Sequence, residues 1–138
     1  MTFNFPVVLS THPRTKKRLT DLGAELHPLI QEMKPFGFFD YVRLQQDSYC
    51  TISDSGTITE EAAIVGFPAV TARDTQERQE GMDSGVLVMT GIDSNSILDG
   101  INMARKHFDN QLYSTLKHPR QPQNYLNHLY YFALQIFQ

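Results

Sequence analysis

The sequence predicts an α/β fold: a parallel sheet with helices on both faces, in three layers. Two observations predict it. Short runs rich in β-branched and aromatic residues, "YCTIS", "AVTAR" and "VLVMTG", alternate with helix-forming stretches along most of the chain. One of those stretches, "SNSILDGINMARKHF", sets Ile97, Ile101, Ala104 and Phe108 at helical spacing, as a helix covering a sheet requires. In such folds, ligands bind at the loops beyond the strand C-termini.

The elements follow in order. "FPVVLSTH" (Phe5–His12) reads as a buried strand with a polar exit. "PRTKKRLTDLG" reads as a helix with Pro13 in its first turn and Leu19, Leu22 and Leu26 on one side, ended or weakened by Gly23. "LIQEM" is a candidate second strand, "KPFGFF" a turn and "FDYVRLQQ" a short helix. The strand "YCTIS" leads through "SDSG" into a helix reaching about Val65, which "GFP" breaks before the strand "AVTAR". "DTQERQEGMDSG" is a polar loop before "VLVMTG" and the long amphipathic helix. These elements form one lobe, residues 1–112. The remaining residues, 113–138, make a tail of different texture, with two prolines and then an aromatic run, expected as a linker and a terminal helix.

Composition narrows the function. The chain has 138 residues, 41% hydrophobic and 20% charged, enough for one domain with a real core. A net charge of −3 argues against a broad nucleic-acid surface. No apolar run approaches a membrane span, and the N-terminus lacks the basic start and apolar stretch of a signal peptide, so a cytoplasmic protein is expected. The single cysteine, Cys50, lies in an apolar run and reads as a small buried hydrophobe. The five histidines show no zinc-site spacing, and no metal is expected.

The central turn carries the chemistry. "SDSGTITEEA" presents free N–H groups at a helix N-terminus, where amides and macrodipole favour a phosphate. Gly56 would allow an unusual backbone angle and close ligand approach, and Ser55 and Thr57 add hydroxyl donors. Thr57 with Glu60 also fits a capping box that needs no ligand. Glu61 then points about 100° further round the helix, where a carboxylate can accept from a ribose diol or simply favour the dipole. Spacing alone leaves both readings open. Arg73 and Arg78 follow a strand and can lie along the same sheet edge, where an arginine clamps a phosphate. Alternatively, they pair with Asp74, Glu77 or Glu80 in an exposed loop, the simpler reading of that loop by itself.

Taken together, "SDSGTITEEA", "GFPAV", "ERQEGMDSG" and "VMTG", strengthened by "KPFGFFDYVRLQ", resemble the non-hydrolysing UDP-N-acetylglucosamine 2-epimerase family, most closely its capsule and O-antigen branch acting on UDP-N-acetyl-fucosamine-type sugars. The resemblance spans about Phe5 to Phe108. It implies a Rossmann-like lobe, the C-terminal half of a two-lobed GT-B-type fold with the nucleotide sugar between the lobes. It further implies that Ser55, Gly56 and Thr57 hold the diphosphate, Glu61 the ribose and Arg78 the phosphates, with Tyr41 beside the uracil and backbone groups of Phe36 to Phe38 serving its edge. His12, in "STHPR", falls near a possible second, regulatory nucleotide-sugar site of some members; capping of the strand exit or next helix is the favoured reading there.

The implied activity is an isomerisation at sugar C2: the C2 proton and UDP are lost and a glycal forms; UDP then re-adds at C1 while a proton returns to C2 on its other face, without metal or redox cofactor. By the resemblance, the proton-transfer groups and catalytic histidine lie outside this chain, so no catalytic residue is expected in it. The chain alone is expected to lack epimerase activity, with a UDP-sugar as ligand and a separate N-terminal lobe or a homo-oligomer as partner. The tail departs from the family's usual ending, a helix that crosses back to the N-terminal lobe. Two rival readings are the C-terminal lobe of a nucleotide-sugar glycosyltransferase and a non-catalytic α/β binding module, which would show no nucleotide affinity.

Overall fold

A computed structural model of the chain describes residues 4–73, 87–115 and 132–136. Its elements run β1 (Val7–Thr11), α1 (Pro13–Asp21), β2 (Ile30–Met33), α2 (Phe38–Asp47), β3 (Cys50–Ser53), α3 (Ile58–Val65), β4 (Ala69–Ala72), β5 (Leu87–Thr90), α4 (Ser94–Thr115) and β6 (Phe132–Ile136). Every strand pair is parallel, and the sheet order is β2-β1-β6-β3-β4-β5. The expected α/β class and parallel sheet are present, and each strand read from the sequence before the tail forms within a residue or two of its expected place.

Local chemistry sets the helix ends. His12 caps α1 and Pro13 occupies its first turn; the chain turns away at Gly23, whose φ of 60° is left-handed. Because α1 stops at Asp21, the expected apolar side does not form a buried stripe: Leu22 is 79% exposed, and Leu26 lies beyond the helix. At the end of α3, Gly66 takes φ 80° and donates to the Ala62 carbonyl, a left-handed C-cap that turns the chain into buried Phe67 and Pro68. Asp93 accepts from the Ser96 amide and hydroxyl at the start of α4, bonds that hold its carboxyl below the usual range.

The core divides by strand alternation. Ala69 and Leu87 pack with Ile58, Ala62 and Phe67, the α3 side of the sheet. Val70, one residue on, packs with Cys50, Ile101 and Ala104, the α4 side. Ile97 and Phe108 are partly buried on the predicted face of α4, each against one of these clusters. Gly100 lets α4 settle onto the sheet, since an added Cβ would overlap the Thr90 methyl. Cys50 is fully buried, and burial pushes its thiol up to about 12 against the opposing pull of Arg105. It is the inert hydrophobe its sequence context suggested.

The tail departs from expectation. Residues 132–136 form a strand, not a helix, and it enters the middle of the sheet. In register, Leu134 stands opposite both Leu9 of β1 and Ile52 of β3. From β6, the order runs outward through β1 and β2 on one side and through β3, β4 and β5 on the other. That is the doubly wound pattern, except that the central place, ordinarily held by the first strand of the fold, is held by the last. The physical reason is the ladder. Without β6, the facing edges of β1 and β3 would each leave a row of backbone groups unpaired, and a two-stranded β1–β2 unit is marginal alone. A strand satisfies both edges; a helix satisfies neither.

Candidate functional site

Because the sheet is parallel, all its C-terminal strand ends lie along one edge. β3 stands next to the central strand, at the point where the strand order reverses. The turn Asp54–Thr57 leaves β3 there and opens α3. Within it, Ser53 Oγ accepts from the Ser55 amide at 3.1 Å, and Ser55 Oγ accepts from the Thr57 amide at 3.3 Å. The Ser55 and Thr57 hydroxyls are bonded to each other at 2.9 Å. The next amides, of Ile58, Thr59 and Glu60, begin the helix ahead of its first intrahelical bond, from Glu61 N–H to the Thr57 carbonyl. They point out of the helix end as the positive pole of its dipole.

Two expectations about this turn need correction. Thr57 makes no side-chain capping bond, and Glu60 is exposed. The capping box requires an extended N-cap, whereas Thr57 has φ −93° and ψ −6°, already helical, so its hydroxyl swings forward to Glu61 Oε1 at 2.6 Å. Gly56 does not adopt a positive φ. It faces the Arg73 guanidinium, which a Cβ there would meet at 3.8 Å, an ordinary contact.

Arg73, just past β4, lies over the turn. Its Nε donates to the Asp54 carbonyl at 2.8 Å, and its own amide is tied to the Thr90 carbonyl of β5 at 3.0 Å. Its guanidinium has no acidic partner among the described residues. A fixed cation thus stands beside the hydroxyls of the turn. Arg78 and the remainder of the "DTQERQEGMDSG" loop lie outside the described residues.

Glu61 joins α3 to α2. One carboxylate oxygen accepts from Thr57, and the other accepts from Gln45 Nε2 at 2.8 Å. Gln45 is 1% exposed and lies beside Tyr41, four residues earlier on the same face of α2. Burial first, and then the Glu61 charge, hold the Tyr41 hydroxyl well above its usual range, so it stays protonated; the nearby Gln45 amide opposes this. The hydrogen-bonded path Gln45–Glu61–Thr57–Ser55 runs from a buried amide to the open turn. Two protein donors leave a carboxylate spare acceptor capacity, so Glu61 can still receive hydroxyl donors.

The structure therefore brings together Tyr41, Ser55, Gly56, Thr57 and Glu61. His12 stands apart, beyond β1, with two strand spacings, about 10 Å of sheet, between its strand and β3. It is exposed, and its Nδ1 accepts from the Arg14 amide at 3.3 Å, the capping role favoured for it. Sequence reasoning passed over Gln45, although its spacing from Tyr41 was a usable signal. It considered Arg73 but assigned the phosphates to Arg78.

The sheet, its switch-point turn and its helices define a Rossmann-like lobe of the GT-B type, as found in solved structures that align with most of the chain. A family model described as UDP-N-acetylglucosamine 2-epimerase matches residues 2–126, and the chain belongs to that family. The UDP-N-acetylglucosamine 2-epimerase of Methanococcus maripaludis is 32% identical over 111 residues, covering 75% of this chain and 30% of the relative. The UDP-2,3-diacetamido-2,3-dideoxy-D-glucuronate 2-epimerase of Pseudomonas aeruginosa is 36% identical over 94 residues, covering 68% of this chain and 26% of the relative. Among solved structures, the Rickettsia bellii UDP-N-acetylglucosamine 2-epimerase has a TM-score of 0.61 and 37% identity, covering 84% of this chain and 37% of that one. The Methanocaldococcus jannaschii enzyme, solved with UDP-N-acetylglucosamine and UDP, shares the fold with a TM-score of 0.64 at 24% identity, over 82% of this chain and 36% of that one. The chain thus spans about 30% of the length of the Methanococcus relative.

Proposed function

We propose that this chain is a UDP-binding C-terminal part of a UDP-sugar 2-epimerase, and that it supplies the grip on the diphosphate and ribose but no proton-transfer group. The observation that carries the reading is the single cluster of Ser55, Gly56 and Thr57 at the start of α3, Arg73 over Gly56, and the Glu61 carboxylate one helical turn on. In this reading, the turn and Arg73 hold the diphosphate, with Arg78 joining them from the loop. Glu61 accepts the ribose hydroxyls, and Tyr41 flanks the uracil. Loss of UDP from the sugar builds negative charge on the diphosphate, so amide dipoles and a guanidinium fixed there contribute most as that charge develops. Membership of the family and the UDP complex of the Methanocaldococcus enzyme support the ligand class.

The reading extends to a partner. The chain covers only a fraction of its relatives' length, and in this reading turnover needs the other lobe as well, with a separate N-terminal lobe or a homo-oligomer as the proposed partner. A role in capsule or O-antigen sugar synthesis in the cytoplasm completes the proposal. Titration of the purified chain with UDP by calorimetry is expected to show binding, while NMR of added UDP-N-acetylglucosamine is expected to show no C2 epimer. Absence of any UDP or pyrophosphate affinity would remove the proposal, and substantial turnover by the chain alone would refute its division of labour.

A further inference from the structure

Gln45 has no role in the binding scheme above, yet it is the large polar side chain most deeply buried beside it, at 1% exposure. A buried amide must be bonded, and the partners this one has are informative. Its Nε2 donates to Glu61 Oε2 at 2.8 Å, and Tyr41 lies beside it on α2. Glu61 is a long side chain on an exposed first turn, and Thr57 holds only its other oxygen. One donor would leave the carboxylate free to rotate about that bond. Two donors, one per oxygen and from separate helices, fix its plane. Gln45 is itself anchored from behind, since the Ser48 hydroxyl donates to its backbone carbonyl at 2.9 Å and closes the end of α2.

We propose that Gln45 is a positioning residue, acting through Glu61 to aim the carboxylate's remaining lone pairs at an intact ribose diol, and so sets a preference for ribonucleotides over 2′-deoxyribonucleotides. This rests on the reading of Glu61 as the ribose acceptor. A neutral amide is suited to this role because it donates to the carboxylate without neutralising it, so the charge stays available to two incoming hydroxyls. The titratable groups facing this amide among the described residues are Glu61 on α3, which it bonds, and Tyr41 on α2.

The test compares UDP, 2′-deoxy-UDP and inorganic pyrophosphate by calorimetry on the full chain. The parent is expected to prefer UDP over 2′-deoxy-UDP by on the order of tenfold, the value of a hydrogen bond to a charged group. Gln45→Met, similar in size but without a donor, is expected to bring that ratio near unity while leaving pyrophosphate affinity unchanged. A purely structural role would not separate the two ligands. Gln45→Glu guards against a methionine variant that does not fold. Its introduced carboxyl repels Glu61 when ionised and can donate to it when protonated, so the ratio is expected to be lost at alkaline pH and to return at acidic pH. If the parent discriminates and both variants discriminate equally well at every pH, the inference is overturned and the ribose reading of Glu61 stands. If the parent itself binds UDP and 2′-deoxy-UDP alike, the Glu61 reading falls and takes the inference with it.

Discussion

Two strand-to-helix turns leave the same edge of the sheet, and they are built for opposite ends. After β1, the helix start is closed by the protein itself. His12 Nδ1 accepts from the Arg14 amide, and Pro13 offers no N–H. After β3, the helix start is open. Thr57 does not cap it, the next three amides precede any carbonyl partner in the helix, and an arginine from the neighbouring strand stands above the glycine. The difference teaches that the same helix dipole can be presented in two ways: one helix start is filled by its own side chain, the other keeps its first amides open beside an arginine. The dipole is common to both turns; what lies in front of it is not.

The comparison breaks most severely if the strand between the turns is disturbed. Leu134 pairs with Leu9 on one side and Ile52 on the other. Proline there removes a ladder donor from a central strand, a position proline does not occupy in native sheets. Leu134→Pro is expected to abolish a cooperative thermal transition followed by circular dichroism. A variant that melts like its parent would show that β6 does not hold the two halves of the sheet together.

Next in size, Arg73→Ala removes the cation from the open turn. UDP affinity is expected to fall by one to two orders of magnitude, about 1.5–3 kcal/mol for a charged hydrogen bond, with a smaller loss of stability from the released Asp54 carbonyl. Unchanged affinity by calorimetry would mean that the guanidinium serves only that carbonyl. The mildest change, His12→Ala, opens the closed turn. Loss of an N-cap costs about 1 kcal/mol, read as a lower melting temperature, while UDP affinity is expected to stay the same. A drop in affinity matching that of Arg73→Ala would erase the distinction between the two turns and place His12 in a ligand site after all.

Much of the fold was legible because it is written in local periods. The β-branched runs at Cys50–Ser53, Ala69–Ala72 and Leu87–Thr90 and the spacing of Ile97, Ile101 and Ala104 each belong to one element and survive without knowledge of the others. The turn was legible for the same reason, since Ser55, Gly56 and Thr57 are neighbours in sequence. Its details were not. The choice of Thr57 hydroxyl between a cap and Glu61 depends on whether ψ is extended or helical, which composition does not encode. Gly56 looked like a residue for unusual backbone angles, but its φ is not positive, and what the structure sets against it is a side chain seventeen positions later.

By itself, then, the sequence determined which segments of the lobe become strands and helices, and that a turn of small polar residues follows β3, because those properties arise from contacts within a few residues. Only the tertiary structure decided that Phe132–Ile136 is a strand at the centre of the sheet, that Arg73 covers the turn, and that Gln45 holds Glu61. Each of those depends on groups far apart in the chain meeting partners they can bond: two open strand edges, a backbone carbonyl and a part-buried carboxylate. Their need for hydrogen bonds chooses the occupant, and no local pattern announces it.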